Sequence, residues 1–382
     1  MTVPTTAGEL LQLVRTGQAT TRKALLVRSG LSRSTLTARL DQLQAAGLLT
    51  EGGQEDSTGG RPARQLCFDD QHAVVLAASI DTMHAEAALT DLSGRRLAHR
   101  EGAVRVADGP EPVLGRIAEW FEELVAEVDQ PICGVGISVP GPVEPGRARV
   151  TQPPIMPGWD GYPIDAYLGA RFGAPVLVDN DANLMALGEH RARFPATAAL
   201  VVVKVSTGIG AGIVIGGEVY RGVDGGAGDI GHIRLPGHPE ARCMCGSLGC
   251  LAAIASGGAL AARLTELGLP TTSGSGVRER ILAGEPAAVR LAEFAGRQVG
   301  EVLATLVCVV NPGVLVIAGD LAEPHFVAGV REVLYRRALP RATQSLRVEI
   351  GGRGEALGGA VAMVVESVFA PAEVDRSLAA RA

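Results

Sequence analysis

The sequence predicts an α/β chain with a small helical head at its N-terminus and a body in two lobes. Three observations carry this expectation. Residues 6–46 show helical apolar spacing broken by a Gly-centred turn. Beyond about residue 72, groups of strands followed by helices occur twice. The charge also divides: residues 1–66 hold eight basic and five acidic side chains, or +3, which leaves −9 on the rest of a chain whose formal net charge is −6. With 382 residues, 47% hydrophobic and 20% charged, the chain has room for two or three globular domains.

The head begins with TAGELLQLVR at 6–15, spaced as a helix. Residues 21–28 form a second short helix, with Thr20 or Thr21 as its N-cap. Ser29-Gly30-Leu31 makes a tight turn, and Ser32 caps a third helix from Arg33 to about Ala46. Leu36, Leu40 and Leu43 repeat along that helix, and Gly47 stops it. Helix, Gly turn, capped helix is the helix-turn-helix pattern. Leu48-Leu49-Thr50 opens a strand, residues 51–60 form a polar tip, and Arg61–Phe68 returns as a second strand, so the motif carries a wing. Residues 1–70 are read as this domain.

In the body, strands are expected at Val74–Ile80, Glu86–Leu92 and from Leu97, with a turn at Ser93-Gly94. An amphipathic helix follows at 110–128, then a strand at Ile132–Val139 that runs into Pro140-Gly141-Pro142. Val176–Val178 delivers Asp179-Asn180-Asp181 to a helix running from Ala182 to about Arg191. Strands at 199–205 and 211–216 flank Ser206-Thr207-Gly208-Ile209-Gly210. Helices fill 257–309, a strand lies at 314–318, and a last helix lies near 355–369. The lobes are read as 71–190, completed by that last helix, and 191–382, which carries the cysteine loop and a self-association surface.

Composition narrows the function classes. Gly, Asp or Arg interrupts each apolar run before membrane-spanning length. The start MTVPTTAGEL lacks the basic and apolar stretches of a secretory signal, so a cytoplasmic location is expected. A basic head on an acidic body fits a protein whose head alone touches phosphate.

The third helix would place its N-terminal residues Ser32, Arg33, Ser34, Thr35 and Thr37, with Arg39 one turn on, against the major groove of double-stranded DNA. Arg61 in Gly59-Gly60-Arg61-Pro62 suits a minor-groove contact, though the stretch equally suits a linker. His232-x10-Cys243-x-Cys245-x4-Cys250 supplies the four donors of a closed, structural zinc site, with His238 as a rival ligand. Asp179-Asn180-Asp181 offers a general base (Asp181) and a sugar-hydroxyl partner (Asn180), but the same residue types favour a helix N-cap. The glycines at 208–212 can cradle phosphate or simply close a hairpin.

Together these motifs resemble the ROK family of repressors, open reading frames and kinases. The resemblance rests on GVGISVPGPV at 134–143, DNDAN at 179–183, STGIGAGIVIGG at 206–217, GGAGDIGH at 225–232, CMCGSLGC at 243–250 and NPGVLVIAGDL at 311–321. It implies an actin-like, hexokinase-type fold with a sugar cleft between the lobes, and homodimers or homotetramers. Family kinases phosphorylate hexoses with ATP. Family repressors, of the xylose and N-acetylglucosamine type, add the DNA-binding head and answer to sugars or to partner proteins. The family's phosphate-binding Asp-x-Gly-x-Thr turn is Ser79-Ile80-Asp81-Thr82-Met83 here, with side chains and a carboxylate where phosphate would approach. Asp181 matches the family's catalytic base, left without a positioned donor. Among the sugar contacts Asn180, Asp181 and His232 remain, the family's Glu is Asp229, and a second Glu is Ala252. The resemblance therefore implies a sugar- or sugar-phosphate-responsive repressor with no kinase activity.

Overall fold

Each helix of the head begins on a hydroxyl cap. In α1 (Ala7–Arg15) the Thr6 hydroxyl accepts from the Glu9 amide while the Glu9 carboxylate accepts from the Thr6 amide. Thr21 caps α2 (Arg22–Ser29). Gly30, at φ 61, takes the left-handed conformation that ends α2 and turns the chain into α3 (Arg33–Ala45), which Ser32 caps. An antiparallel hairpin of β1 (Leu49–Gln54) and β2 (Arg64–Phe68) follows. The computed structural model describes residues 5–54, 64–352 and 355–381. Arg61 and the Gly59–Pro62 tip lie outside the described residues.

Two five-stranded sheets form the body, and they share one topology. The first runs through β3 (Val74–Ile80), β4 (His84–Asp91), β5 (Arg96–Ala103), β6 (Ile132–Val139) and, past the small hairpin β7 (Val143–Glu144) and β8 (Arg149–Val150), β9 (Val176–Asn180). The second comprises β10 (Ala199–Val205), β11 (Ile209–Ile215), β12 (Glu218–Val219), β13 (Val314–Ala318) and β14 (Arg347–Ile350). Their orders are β5-β4-β3-β6-β9 and β12-β11-β10-β13-β14. Each is an antiparallel meander extended by two parallel strands. Parallel neighbours need crossover helices. These are α4 (Pro110–Val125) and α5 (Ile164–Phe172) in the first lobe. In the second, α7 (Leu251–Ala255), α8 (Gly257–Glu266), α9 (Gly274–Leu282) and α10 (Pro286–Val310) precede β13, and α11 (Pro324–Arg337) and α12 (Pro340–Thr343) precede β14.

Two helices join the lobes. α6 (Asp181–Ala192) packs on β10 and β11, and α13 (Glu355–Val368) packs on β3 and β6 and against α6. Layers of sheet, α13, α6 and sheet result. Glycine lets these layers approach backbone to backbone: a Cβ on Gly136 would meet the Ala360 carbonyl, and one on Gly359, Gly188 or Gly212 would strike the carbonyl of Leu184, Glu355 or Ala182. The division at residue 190 thus places α6 with the first lobe, whereas its packing joins it to the second sheet.

The head is continuous with the body. Leu10, Leu25 and Leu40 share a buried core with Val75, Leu357, Val361 and Val364. A last helix, α14 (Pro371–Arg381), unforeseen in the sequence, lies along α1 and buries Val374 there. The Gly8 amide donates to Asp375 Oδ1 at 2.8 Å, the Arg15 guanidinium donates to the Val365 carbonyl at 2.8 Å, and Phe68 meets Phe369 edge to face. Among the described residues, no single helix is long and apolar enough to cross a membrane.

Candidate functional site

A cavity of about 960 Å3 opens between the lobes. The Asp81-Thr82 turn, Pro140–Pro142 and the first turn of α6 wall one side, and the 206–211 segment, the 225–243 loop and α8 wall the other. Such a volume lies near the upper end of the range that holds drug-sized ligands. Asn180, Asp181, Asp229 and His232 all line it, so the structure brings the four expected ligand contacts together. Ala252 lines it too.

At the strand-to-helix junction the N-cap reading of the sequence holds. Asn180 caps α6, its Oδ1 accepting from the amides of Ala182 and Asn183 at 3.0 and 3.4 Å, and its Nδ2 donates to the Gly141 carbonyl at 3.1 Å. Its acceptor is therefore committed to the fold, and of its two amide hydrogens one is held by Gly141. Asp179, 3% exposed, accepts from Asn183 Nδ2 at 3.0 Å and from Arg221 Nε at 2.8 Å. Arg221 sits 42 residues downstream and carried no signal in the sequence.

Asp181 differs from a poised base. Its Oδ1 accepts from the Ala182 amide at 2.7 Å, and its Oδ2 lies 2.6 Å from Lys204 Nζ. Lys204 also reaches Asp81 Oδ2 at 3.2 Å. Burial alone would discharge Lys204, but the carboxylates of Asp181 and Asp81 more than offset it and hold the ammonium charged well above its ordinary range. Beside this bridge the Thr82 and Thr207 hydroxyls meet at 3.0 Å, joining the first hairpin turns of the two sheets. One trace of Lys204 stood in the sequence: apart from Lys23 it is the sole lysine among 35 Lys and Arg residues, and it interrupts an apolar strand.

At the far side of the cavity, ligand atoms of His232, Cys243, Cys245 and Cys250 all lie within 4.8 Å of one another. Cys245 Sγ is 3.8 Å from Cys250 Sγ, and Cys243 Sγ is 3.7 Å from His232 Nδ1. Tetrahedral bonds of about 2.3 Å to sulfur and 2.0–2.1 Å to nitrogen require spacings close to these. The loop is closed by Cys243 N–H to Ser247 O at 2.9 Å and by bridges at Arg242–Leu248 and Arg234–Cys250. The Ser247 amide pulls the Cys245 thiol down to about 6, while burial pushes Cys250 up to about 12. Soft donors of this kind can hold a metal ion. His238 falls outside the cluster, bonding Gln298 at 3.2 Å and standing edge-on to Phe294.

On the head, Ser32, Arg33, Ser34, Thr35 and Thr37 are exposed at the start of α3. The Ser32 hydroxyl already bonds Ser34 Oγ at 2.9 Å and Thr35 Oγ1 at 2.8 Å. Arg39 is half-buried, with its Nε enclosed and unpartnered among the described residues.

Comparison with known proteins gives these features a context. Residues 76–366 match the model of the ROK family. The xylose repressor of Caldicellulosiruptor bescii is 28% identical over 362 residues, covering 89% of this chain and 90% of that protein. A ROK family transcriptional regulator, described as a homologue of the E. coli MLC protein, superposes with a TM-score of 0.82 at 24% identity over 97% of this chain and 98% of its own, so the fold extends through both. A ROK family glucokinase from Streptomyces griseus, solved with glucose and AMPPNP, gives a TM-score of 0.65 at 27% identity, with 99% of that enzyme covering 76% of this chain.

Proposed function

The chain belongs to the ROK family, and from that membership we propose that it is a sugar-responsive, DNA-binding transcriptional repressor whose kinase-like body has given up ATP chemistry. The observation that carries this reading is the exposed first turn of α3, with Ser32, Arg33, Ser34, Thr35 and Thr37 presented on a head that a kinase of the same fold does not need. Residues 1–70 form a winged helix-turn-helix, α3 enters the major groove, and Arg39 and Arg61 add contacts to DNA. The xylose repressor among its relatives supports a carbohydrate effector.

The body acts as receiver. A sugar bound near Asn180, Asp181, Asp229 and His232 bears on the first turn of α6. α6 locks against α13 through Gly188 and Gly359, and α13 carries the Val365 carbonyl that holds Arg15 of the head. Displacement at the cleft thus has a packed route to α1 and α3. The effector must bind the two head arrangements unequally, or nothing shifts. Two heads of a homodimer or homotetramer would read paired half-sites. His232, Cys243, Cys245 and Cys250 would hold a structural Zn2+, which would fix the loop on the cavity's far wall. Asp181, clamped by Lys204, has no role as a base. The alternative in which a partner protein controls the head draws on Asp229 and Ala252, both smaller than the carboxylates the family pattern expects.

The test is fluorescence anisotropy of the zinc-loaded protein on its own upstream DNA at fixed salt, with and without a panel of sugars and sugar phosphates. Specific binding weakened by one sugar is the expected result. Arg33→Ala should cost about 1–3 kcal/mol of specific binding. Specific binding that no sugar changes would favour the partner-protein reading. ATP-dependent phosphorylation of a sugar would defeat the repressor-only reading.

A further inference from the structure

Lys204 stands on β10 between the buried Val203 and Val205 and sends its ammonium between two carboxylates from separate elements. Asp181 opens α6 and lies at 2.6 Å; Asp81 follows β3 and lies at 3.2 Å. Asp320, just past β13, joins them in lining a second cavity of about 560 Å3. The side chains of Lys204 and Asp181 are 13% and 11% exposed. Charges so enclosed must be balanced locally. Lys204 is the cation in contact with both Asp81 and Asp181, while Asp320 also feels Arg278 on the wall of the same cavity.

The type of cation is informative. This chain uses Arg almost everywhere, yet a Lys stands here. A guanidinium is a planar fork that pairs side-on, whereas an ammonium is a compact point charge that several oxygens can surround. Surrounding by carboxylate oxygens is also how a hard divalent cation is held, at about 2.0–2.6 Å per oxygen. The two contacts of Lys204 place the Asp81 and Asp181 oxygens near enough that modest side-chain rotation would bring both onto one ion.

We propose that Lys204 is a built-in substitute for a divalent cation, occupying the point where Asp81 and Asp181 would otherwise collect one. It makes the charge balance of the cleft independent of metal and leaves no place for a ligand that arrives bound to a metal, such as a nucleoside triphosphate with its cation. Lys204 is thus a specificity-determining residue of the cleft. It selects for uncharged ligands by filling the cation position from within.

The inference makes a gain-of-binding test possible. The full-length, zinc-loaded protein and its Lys204→Met and Lys204→Arg variants are titrated with MnCl2, without sugar, by calorimetry and by paramagnetic resonance of the unbound ion. The wild type and Lys204→Arg should show no saturable site. Lys204→Met should bind one Mn2+ per chain, with a dissociation constant in the ~0.1–1 mM range, and should melt at a higher temperature in its presence. Adding Asp181→Asn to Lys204→Met should abolish that site, which locates it. Mn2+ binding by the wild type as tight as by Lys204→Met would overturn the proposal. So would a folded Lys204→Met that binds none. A Lys204→Met that stays unfolded with and without Mn2+, while Lys204→Arg folds, would also overturn it, because an ion pair that no metal can replace is not a metal substitute.

Discussion

The two sheets share one strand order but make opposite first turns. After β3 the chain turns through Asp81-Thr82-Met83, rich in side chains. After β10 it turns through Ser206-Thr207-Gly208, open enough that a Cβ on Gly208 would touch nothing. The turns face each other and bond through Thr82 and Thr207. A repeated frame thus has one geometry and two equivalent corners that differ in their side chains. One corner supplies Asp81 to an internal ion bridge and the other is open at Gly208, while both border the cavity between the lobes. Fold and function separate at this point. The frame is maintained by layers that meet at glycines, and the chemistry resides in a few turn residues.

The lobes should also differ in what they need to stay folded, and the largest effect is expected there. Only the second carries the His232, Cys243, Cys245 and Cys250 cluster among the described residues. Cys250→Ser, or chelation, should cost on the order of 5 kcal/mol. In hydrogen exchange the loss should fall on 230–256 and spare the β3–β4 hairpin. Equal loss in both lobes would erase the distinction. The metal-free thiols give the pH sign. Cys250 is pushed up to about 12 and Cys245 drawn down to about 6, so binding an ion must expel at least the Cys250 proton. Metal affinity should therefore rise with pH and fall on acidification, which a zinc-release titration would read.

A smaller effect should separate glycines of the frame from glycines of the turn. Gly212 lies on β11 where α6 crosses, and any Cβ there would run into the Ala182 carbonyl. Gly212→Ala should cost about 2–4 kcal/mol, because backbone rather than a movable side chain must yield. Gly208→Ala should stay within about 0.5 kcal/mol. Denaturant midpoints of the two variants would show this. A large cost at Gly208 would mean the second turn is as constrained as the frame.

How much of this was legible in the sequence depended on whether the signal was local. Val74–Ile80, Ile132–Val139 and Val314–Ala318 could be read to the residue, since continuous apolar runs end there at turn residues. The cap at Ser32 was equally plain, because a cap acts within three residues, and that of α2 was narrowed to Thr20 or Thr21, of which Thr21 serves. The metal donors sat within one loop whose spacing suggested the chemistry. By contrast α5, α11, α12, α14 and β14 went unread: α14 is polar apart from the face it lays on α1, more than 350 residues away in sequence. Lys204 and Arg221 were missed for the same reason. A lone lysine on an apolar strand hints at a buried partner but does not name one until the fold brings Asp81, 123 residues away, to meet it.

A last expected outcome tests whether the first turn alone accounts for the proposed loss of ATP chemistry. Asp81→Gly with Thr82→Gly would remove the side chains that crowd that turn and make it resemble its partner. The cost to stability should be about 1–2 kcal/mol, from the Thr82–Thr207 bond and one arm of the Lys204 bridge. Coupled-assay turnover of ATP with any hexose should remain at background, because Lys204 would still clamp Asp181 at the position where a base must be open to a sugar hydroxyl. Turnover above background would show that the lesion lies in the turn and that the Lys204–Asp181 pair opens readily. The two corners of the frame would then differ by two side chains alone.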